Sequence, residues 1–382
     1  MTHQDFLFHR PDLAHRYADS LEGRSLVDAS SGLFLAAPRR TGKTTFVRQD
    51  LLPTLVARGA TPVYVDLWAD RSRDPALLIS SAIQSKLQEF ASTIRKLAQV
   101  VGSAQINLFG TVQLGLAQPE LPAAITLADA LEALSVAAQT PVALVIDEAQ
   151  HALLTPEGRN AMFALKAARD RLSHGVTGPR LKLVMTGSNR DKLAYLVRDK
   201  DQPFFGGTIT HFPLLGKEFL EAFAAHINRF LAADNQFEAA DLWEAFRLVG
   251  YRPEMLRRLV ANLALDGGAE RLRVDLRTGA HNLRSQIWGQ MEAEFSGLTP
   301  IQRAVLETLI ETGAGCAPFS DTFLKTCAQK LGRTAKLPAG TVQGALDALR
   351  EKNLVWRADW GDYALEDESM AEWYLGRSTE TS

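Results

Sequence analysis

Five short β-branched or aliphatic runs punctuate the first 215 residues: LFLAA at 33–37, PVYVDL at 62–67, VALVID at 142–147, KLVMTG at 182–187 and TITHFP at 208–213. Between them, apolar positions recur with helical period near 43–58, 74–98, 126–138 and 158–173. Strands separated by helix-length segments predict an α/β domain with a parallel sheet covered on both faces. The stretch AQINLFGTVQLGLAQ at 104–118 breaks the rhythm, because apolar residues alternate on either side of Gly110, the pattern of an inserted β-hairpin.

Beyond residue 216 the period changes. Phe219, Leu220, Phe223, Ile227, Phe230 and Leu231 fall on one helical face, and a second helical run ends near the turn GYRPEM at 250–255. After Gly267 and Gly268 comes a helical pattern near 281–295, then GLTP at 297–300, where Thr299 can cap a helix with Pro300 in its first turn. Helical patterns at 300–312, 320–331 and 340–352 precede LVWRADWGDYALED, read as two strands about a Trp-Gly turn. Three helices and a hairpin are the order of a winged helix-turn-helix. The expected domains are therefore 1–215, a parallel-sheet core; 216–297, a helical lid with connecting helices; and 298–382, a winged helix.

Composition narrows the classes. With 382 residues, 46% hydrophobic, the chain can build two or three domains, and 42 basic against 44 acidic residues leave no global field to draw nucleic acid or an anionic membrane. Cys316 and Cys327 have neither CxxC spacing nor a histidine at zinc-finger distance, so they read as thiols in a reducing compartment. No apolar run approaches the ~18 residues of a membrane span, and a cytoplasmic location is expected.

The candidate chemistry begins at FLAAPRRTGKTTF, residues 34–46. A phosphate cradle requires a strand, a tight loop with inward N–H groups and an immediate helix N-terminus. Pro38, Arg39, Arg40, Thr41 and Gly42 form that loop; Lys43 is placed to reach the β- and γ-phosphates of ATP, Thr44 to ligate Mg2+, and Thr45 to add a donor at the helix start. Ala37 stands where GxxxxGK[ST] has its first glycine. As a strand-exit residue, alanine is tolerable there if φ stays negative.

A second element supports the first. PVALVIDEAQ at 141–150 ends an aliphatic strand in Asp147, placed to hold magnesium through water, and Glu148, placed to polarise an attacking water. Alone, such a pair can equally be a solvated strand end. A third strand, LKLVMTGSNR at 181–190, ends in Thr186, Ser188 and Asn189, polar groups for the γ-phosphate or the water, or simply a polar strand end. Asp66 reads as structural.

The combination of PRRTGKT, PVYVDL, VIDEAQ and MTGSN, with a hairpin before the acidic strand, resembles the prokaryotic AAA+/STAND-like P-loop ATPases of the archaeal-type ATPase family. The resemblance implies a five-stranded ASCE-type core with Glu148 as catalytic base, followed by a helical lid and a winged helix. It is strong over 30–215 and holds in outline beyond. Two departures stand out. Ala37 replaces glycine, and the arginine that often follows a Pro-Leu-Tyr-Gly-like turn is replaced by Gly207 in QPFFGG. Arg190, Arg198 and Lys200 are the nearby basic residues for a finger. In the lid, GYRPEMLRR resembles the Gly-x-x-Pro turn that faces nucleotide, which makes Arg252, then Arg257, the residues to report γ-phosphate state, or plain surface arginines.

The last domain, 298–382, holds nine Lys and Arg against twelve Asp and Glu, a poor balance for phosphate contacts despite the local basic set Lys325, Lys330, Arg333 and Lys336. Trp360 sits at the hairpin tip as a candidate partner contact, with Trp356 and Trp373 as core residues. The leading expectation is an ATP-driven conformational switch acting on a protein partner, with oligomerisation open. The alternatives are an ATP-dependent DNA-binding or target-selection protein of the transposition-regulator type, and a nucleotide-binding scaffold with negligible turnover.

Overall fold

In the computed structural model the described residues are 6–100, 125–173, 180–265, 272–313, 317–359 and 361–380. The hairpin expected at 104–118, Gly267, Gly268, Cys316 and Trp360 lie outside them. The chain divides into two compact units, one made of His9–Ala37 and Lys43–Phe212, the other of the remaining described residues.

The first unit is built on a five-stranded parallel sheet: β1 (Leu33–Ala36), β2 (Thr61–Asp66), β3 (Val142–Asp147), β4 (Leu181–Gly187) and β5 (Ile209–His211), in the order β2-β3-β4-β1-β5. Every residue of β3 and β4 is buried, which is why both are mostly apolar, with Lys182, Thr186 and Asp147 as buried polar exceptions. At the sheet edge β2 instead alternates between buried and half-buried positions. Its helices are α1 (Pro11–Leu21), α2, α3 (Pro75–Glu89), α4 (Ala91–Val100), α5 (Leu127–Ala138), α6 (Pro156–Leu172) and α7 (Arg190–Arg198). Helix α2 runs from Lys43–Phe46 through a π turn, Val47–Leu51, to Leu52–Ala57. The Leu52 N–H donates to the Val47 carbonyl, and the widened turn lets the helix continue past Pro53, which has no N–H to give.

Helix α1 was not legible as a helix beforehand, and it packs Leu13, Ala14, Ala18 and Leu21 into the same core as β1 and the Phe46, Val47 and Leu51 face of α2. Polar contacts secure it at both ends. At the start, buried Asp50 accepts from the His9 ring (2.6 Å) and the Arg10 N–H (3.1 Å). At its C-terminal end, Glu22 pairs with the buried Lys182 of β4 and with Arg58 (3.1 Å), which also holds Asp19 (2.6 Å).

In the second unit, Phe6, Phe8 and helices α8 (Lys217–Ile227), α9 (Ala239–Leu248), α10 (Pro253–Leu265) and the first half of α11 (Leu272–Ser296) share one apolar cluster centred on Phe219, Phe223 and Phe246. A separate cluster joins the end of α11, from Met291, to α12 (Pro300–Thr312), α13 (Asp321–Lys330), α14 (Ala339–Glu351), the antiparallel pair β6 (Val355–Asp359) and β7 (Asp362–Leu365), and α15 (Ser369–Glu380). Thr299 caps α12 in a reciprocal capping box with Gln302. Trp356 and Trp373 are both buried. Of the basic set in this region, Lys330 is paired with Glu311 (2.7 Å) and Glu307 (3.5 Å), and Lys336 with Asp321 (2.8 Å). No helix among the described residues is long and apolar enough to cross a membrane.

Burial acts to raise the Glu22 pKa, but its bonds to Lys182 and Arg58 outweigh that and hold the carboxyl below its ordinary value of 4.5. A depressed carboxylate contributes stability above the unfolded pKa and loses it as pH falls through the folded value. Glu22→Ala leaves Lys182 charged and buried, and is expected to lower unfolding free energy by about 3 kcal/mol at neutral pH in urea titrations. The deficit should shrink as pH falls below 4.5.

Candidate active site

Parallel β3 delivers Asp147 to the carboxyl edge of the sheet, where open α/β folds place ligands. The carboxylate is buried, so its lone pairs must be met within the protein. Oδ2 accepts from the Thr44 hydroxyl (2.7 Å) at the start of α2 and from the Tyr64 phenol (3.0 Å) of β2. Oδ1 accepts from the Thr186 hydroxyl of β4 and from the Glu148 N–H (3.1 Å).

Glu148 leaves the strand in the left-handed region, φ 55° and ψ 41°, a conformation that costs a non-glycine residue about 1 kcal/mol or more. Its side chain is gripped on both oxygens. Oε2 accepts from Gln150 Nε2 (2.5 Å), Ser188 Oγ (2.6 Å) and the Ser188 N–H (3.4 Å), while Oε1 lies 3.6 Å from the buried Lys43 ammonium. Burial acts to raise the Glu148 pKa; Lys43 and the Ser188 and Gln150 donors overcome it and hold the carboxyl below its ordinary value. Asp66 goes the other way: burial pushes it up against the pull of the Trp68 N–H, helped by the charges of Asp147 and Glu148.

The loop Pro38–Gly42 connects β1 to α2 along the chain. Arg40 (φ 66°) and Gly42 (φ 89°) take left-handed conformations, Thr41 donates to the Pro38 carbonyl (2.8 Å), and no atom lies within contact range of a Cβ built on Gly42. Arg39 and Arg40 are exposed, and Arg40 lies 3.9 Å from Glu254. Ala37 is buried at the strand exit without positive φ, the condition under which alanine can replace the usual glycine. Thr45 is exposed on the first turn of α2.

The first unit therefore brings Lys43, Thr44, Asp147, Glu148 and Ser188 together. Asn189 has a structural occupation: its Oδ1 accepts from the Lys192 N–H and caps α7 (2.7 Å). In the second unit Arg252 donates to Asp367 (2.6 Å), just before α10. Gly207 has a packing reason, since a Cβ there would lie 3.1 Å from the Phe204 carbonyl and from Val197 and 3.2 Å from the Phe34 ring. Two contributors were missed in the sequence. Gln150 is two residues past Glu148 in the same motif, and Tyr64 precedes the strand-end Asp66 by two positions on the same strand face.

No protein-family model matches the chain. No curated protein matches it either. Solved structures do. A Walker-type ATPase of Pyrococcus abyssi aligns over 98% of this chain and 97% of its own, with TM-score 0.55 and 18% identity. The ORC2 protein of Aeropyrum pernix aligns in its ADPNP–ADP complexes over 99% and 98%, with TM-score 0.53 and 14% identity. In its ADP form it aligns over 98% and 97%, with TM-score 0.55 and 14% identity. The chain has the fold of an AAA+ P-loop ATPase. At these identities the likeness is one of fold.

In this AAA+ fold, Gln150→Met keeps the side chain's length and removes its donor. Losing a hydrogen bond to the charged form raises a carboxyl pKa. Glu148 is therefore expected to titrate at higher pH in the variant, read from the carboxyl carbon shift of labelled glutamate.

Proposed function

We propose that the protein is a Mg2+-dependent ATPase that works as a nucleotide-driven conformational switch on a protein partner. The observation that carries the reading is the convergence of Lys43, Thr44, Asp147 and Glu148 on one sheet edge, with the hydroxyl of Thr44 bonded to Asp147. The donor set suits magnesium: a threonine hydroxyl and a carboxylate are hard oxygens, and Mg2+ takes one or two protein ligands and fills its shell with water and phosphate oxygens. When bound, the ion supplies charge neutralisation at the phosphates.

The chain's own groups have distinct tasks in this reading. The Lys43 ammonium, held near Glu148, is replaced there as it turns to the phosphates. Glu148, kept ionised by Ser188 and Gln150, then has Oε1 open to accept a hydrogen bond from the attacking water and orient it. Pro38, Arg39, Arg40, Thr41, Gly42 and Thr45 complete the phosphate loop.

Beyond the core, 1–215, we assign 216–297 as a lid and 298–382 as a winged helix. The separate apolar clusters around Phe246 and around Leu346 support two bodies beyond the core, with the break between them falling inside α11 before Met291 and with Phe6 and Phe8 packed into the first. A protein partner is favoured over DNA by the acidic balance of the last region and by the pairing of Lys330 and Lys336 with acidic neighbours.

Purified protein is expected to hydrolyse ATP only with Mg2+. Lys43→Ala should weaken nucleotide binding at least tenfold, and Glu148→Gln should bind normally with turnover reduced by about 100-fold or more. Wild-type protein that fails to bind nucleotide would refute the reading.

A further inference from the structure

The Asp147 carboxylate has two faces with different duties. Oδ1 is tied to Thr186 and the Glu148 backbone, whereas Oδ2 looks toward Thr44, the hydroxyl beside which a cation would sit. Thr44 has a single hydroxyl proton, and its oxygen is itself a prospective cation ligand. Tyr64 is the other donor to Oδ2, at 3.0 Å, and it comes from a different element.

The reach is specific. Tyr64 pairs in register with Val145, and Asp66 with Asp147, so the phenol must climb two residues along the strand direction, about 6.6 Å, to meet Oδ2. A tyrosine ring is long and rigid enough to do this while its body stays packed on the apolar cluster of α2 and β1, with the Arg48 guanidinium 5.4 Å from its centroid. Phenylalanine would fill the same space and leave Oδ2 with Thr44 alone.

Resting on the ATPase reading above, we propose that Tyr64 is a positioning residue for the magnesium site: its hydroxyl fixes the rotation of the Asp147 carboxylate, so that Oδ2 stays aimed at the cation whatever Thr44 does. Side chains that orient a metal's ligands without touching the metal commonly govern affinity by about 10–100-fold. Tyr64 is therefore a determinant of the magnesium requirement and has no part in binding the nucleotide itself.

The test uses the full chain and its Tyr64→Phe variant, with binding of a fluorescent non-hydrolysable ATP analogue followed by anisotropy. Titrations are run in EDTA and then against MgCl2, and Mn2+ bound in the ternary complex is observed by electron paramagnetic resonance. The expected result is unchanged metal-free affinity, a rise of about tenfold in the Mg2+ concentration for half-maximal tightening, and an altered Mn2+ spectrum. An unchanged Mg2+ titration overturns the proposal. Metal-free and Mg2+-dependent binding lost in equal measure also overturns it, because the hydroxyl would then serve only strand packing. If wild type itself binds no analogue in either condition, the ATPase reading fails first. Wild type binding normally while the variant shows no magnesium defect sinks only the role of Tyr64.

Discussion

The site depends on a carboxylate that cannot be left unsolvated. Asp147 sits at the end of a fully buried strand, where an ionised group without partners would be costly. Its four hydrogen bonds come from α2, β2, β4 and its own chain, so those elements must converge before the charge is tolerable. The parallel register supplies that convergence: β4 lies between β1 and β3, so its Thr186, and Ser188 just after it, come at the same sheet edge as the end of the acidic strand.

The same constraint explains the strained residue beside it. Asp147 accepts the N–H of Glu148, and Glu148 in turn is held through its carboxylate by Ser188 and Gln150. Left-handed backbone at a non-glycine residue persists only when its surroundings over-determine it. Here two side-chain donors and a lysine do so, and the geometry that results points the carboxylate back across the sheet edge toward α2.

Much of this was legible in the chain. All five strands fall within a residue or two of the aliphatic runs, because a sheet covered on both faces admits few polar residues and the runs stand out. The Gly-Lys-Thr loop and the Asp-Glu strand end stood out as a candidate site because the chemistry proposed for them needs fixed residue types at fixed spacing. Helices α1, α7, α10 and α15 were missed, and α11 begins at Leu272 ahead of the run read near 281–295; each missed helix is short, and in α1 two of the five apolar positions are alanines, a faint stripe. Tyr64 and Gln150 were passed over because their roles arise from contacts across the sheet. Nothing in PVYVDL distinguishes a tyrosine that packs from one that also donates to a neighbouring strand.

Gly207 shows how packing can settle a question that motif comparison leaves open. Where the family that the sequence resembles often carries an arginine, a Cβ would sit 3.1–3.2 Å from the Phe204 carbonyl, Val197 and the Phe34 ring, so a side chain there requires those neighbours to give way by a few tenths of an ångström. Phe34 belongs to β1, the strand that leads into the Pro38–Gly42 loop, and its ring centroid lies 5.4 Å from that of Phe204. The aromatic pair thus bounds the space beside Gly207, and β1 contributes one of its two rings. An arginine placed at 207 would therefore test packing before it tests any role toward a phosphate.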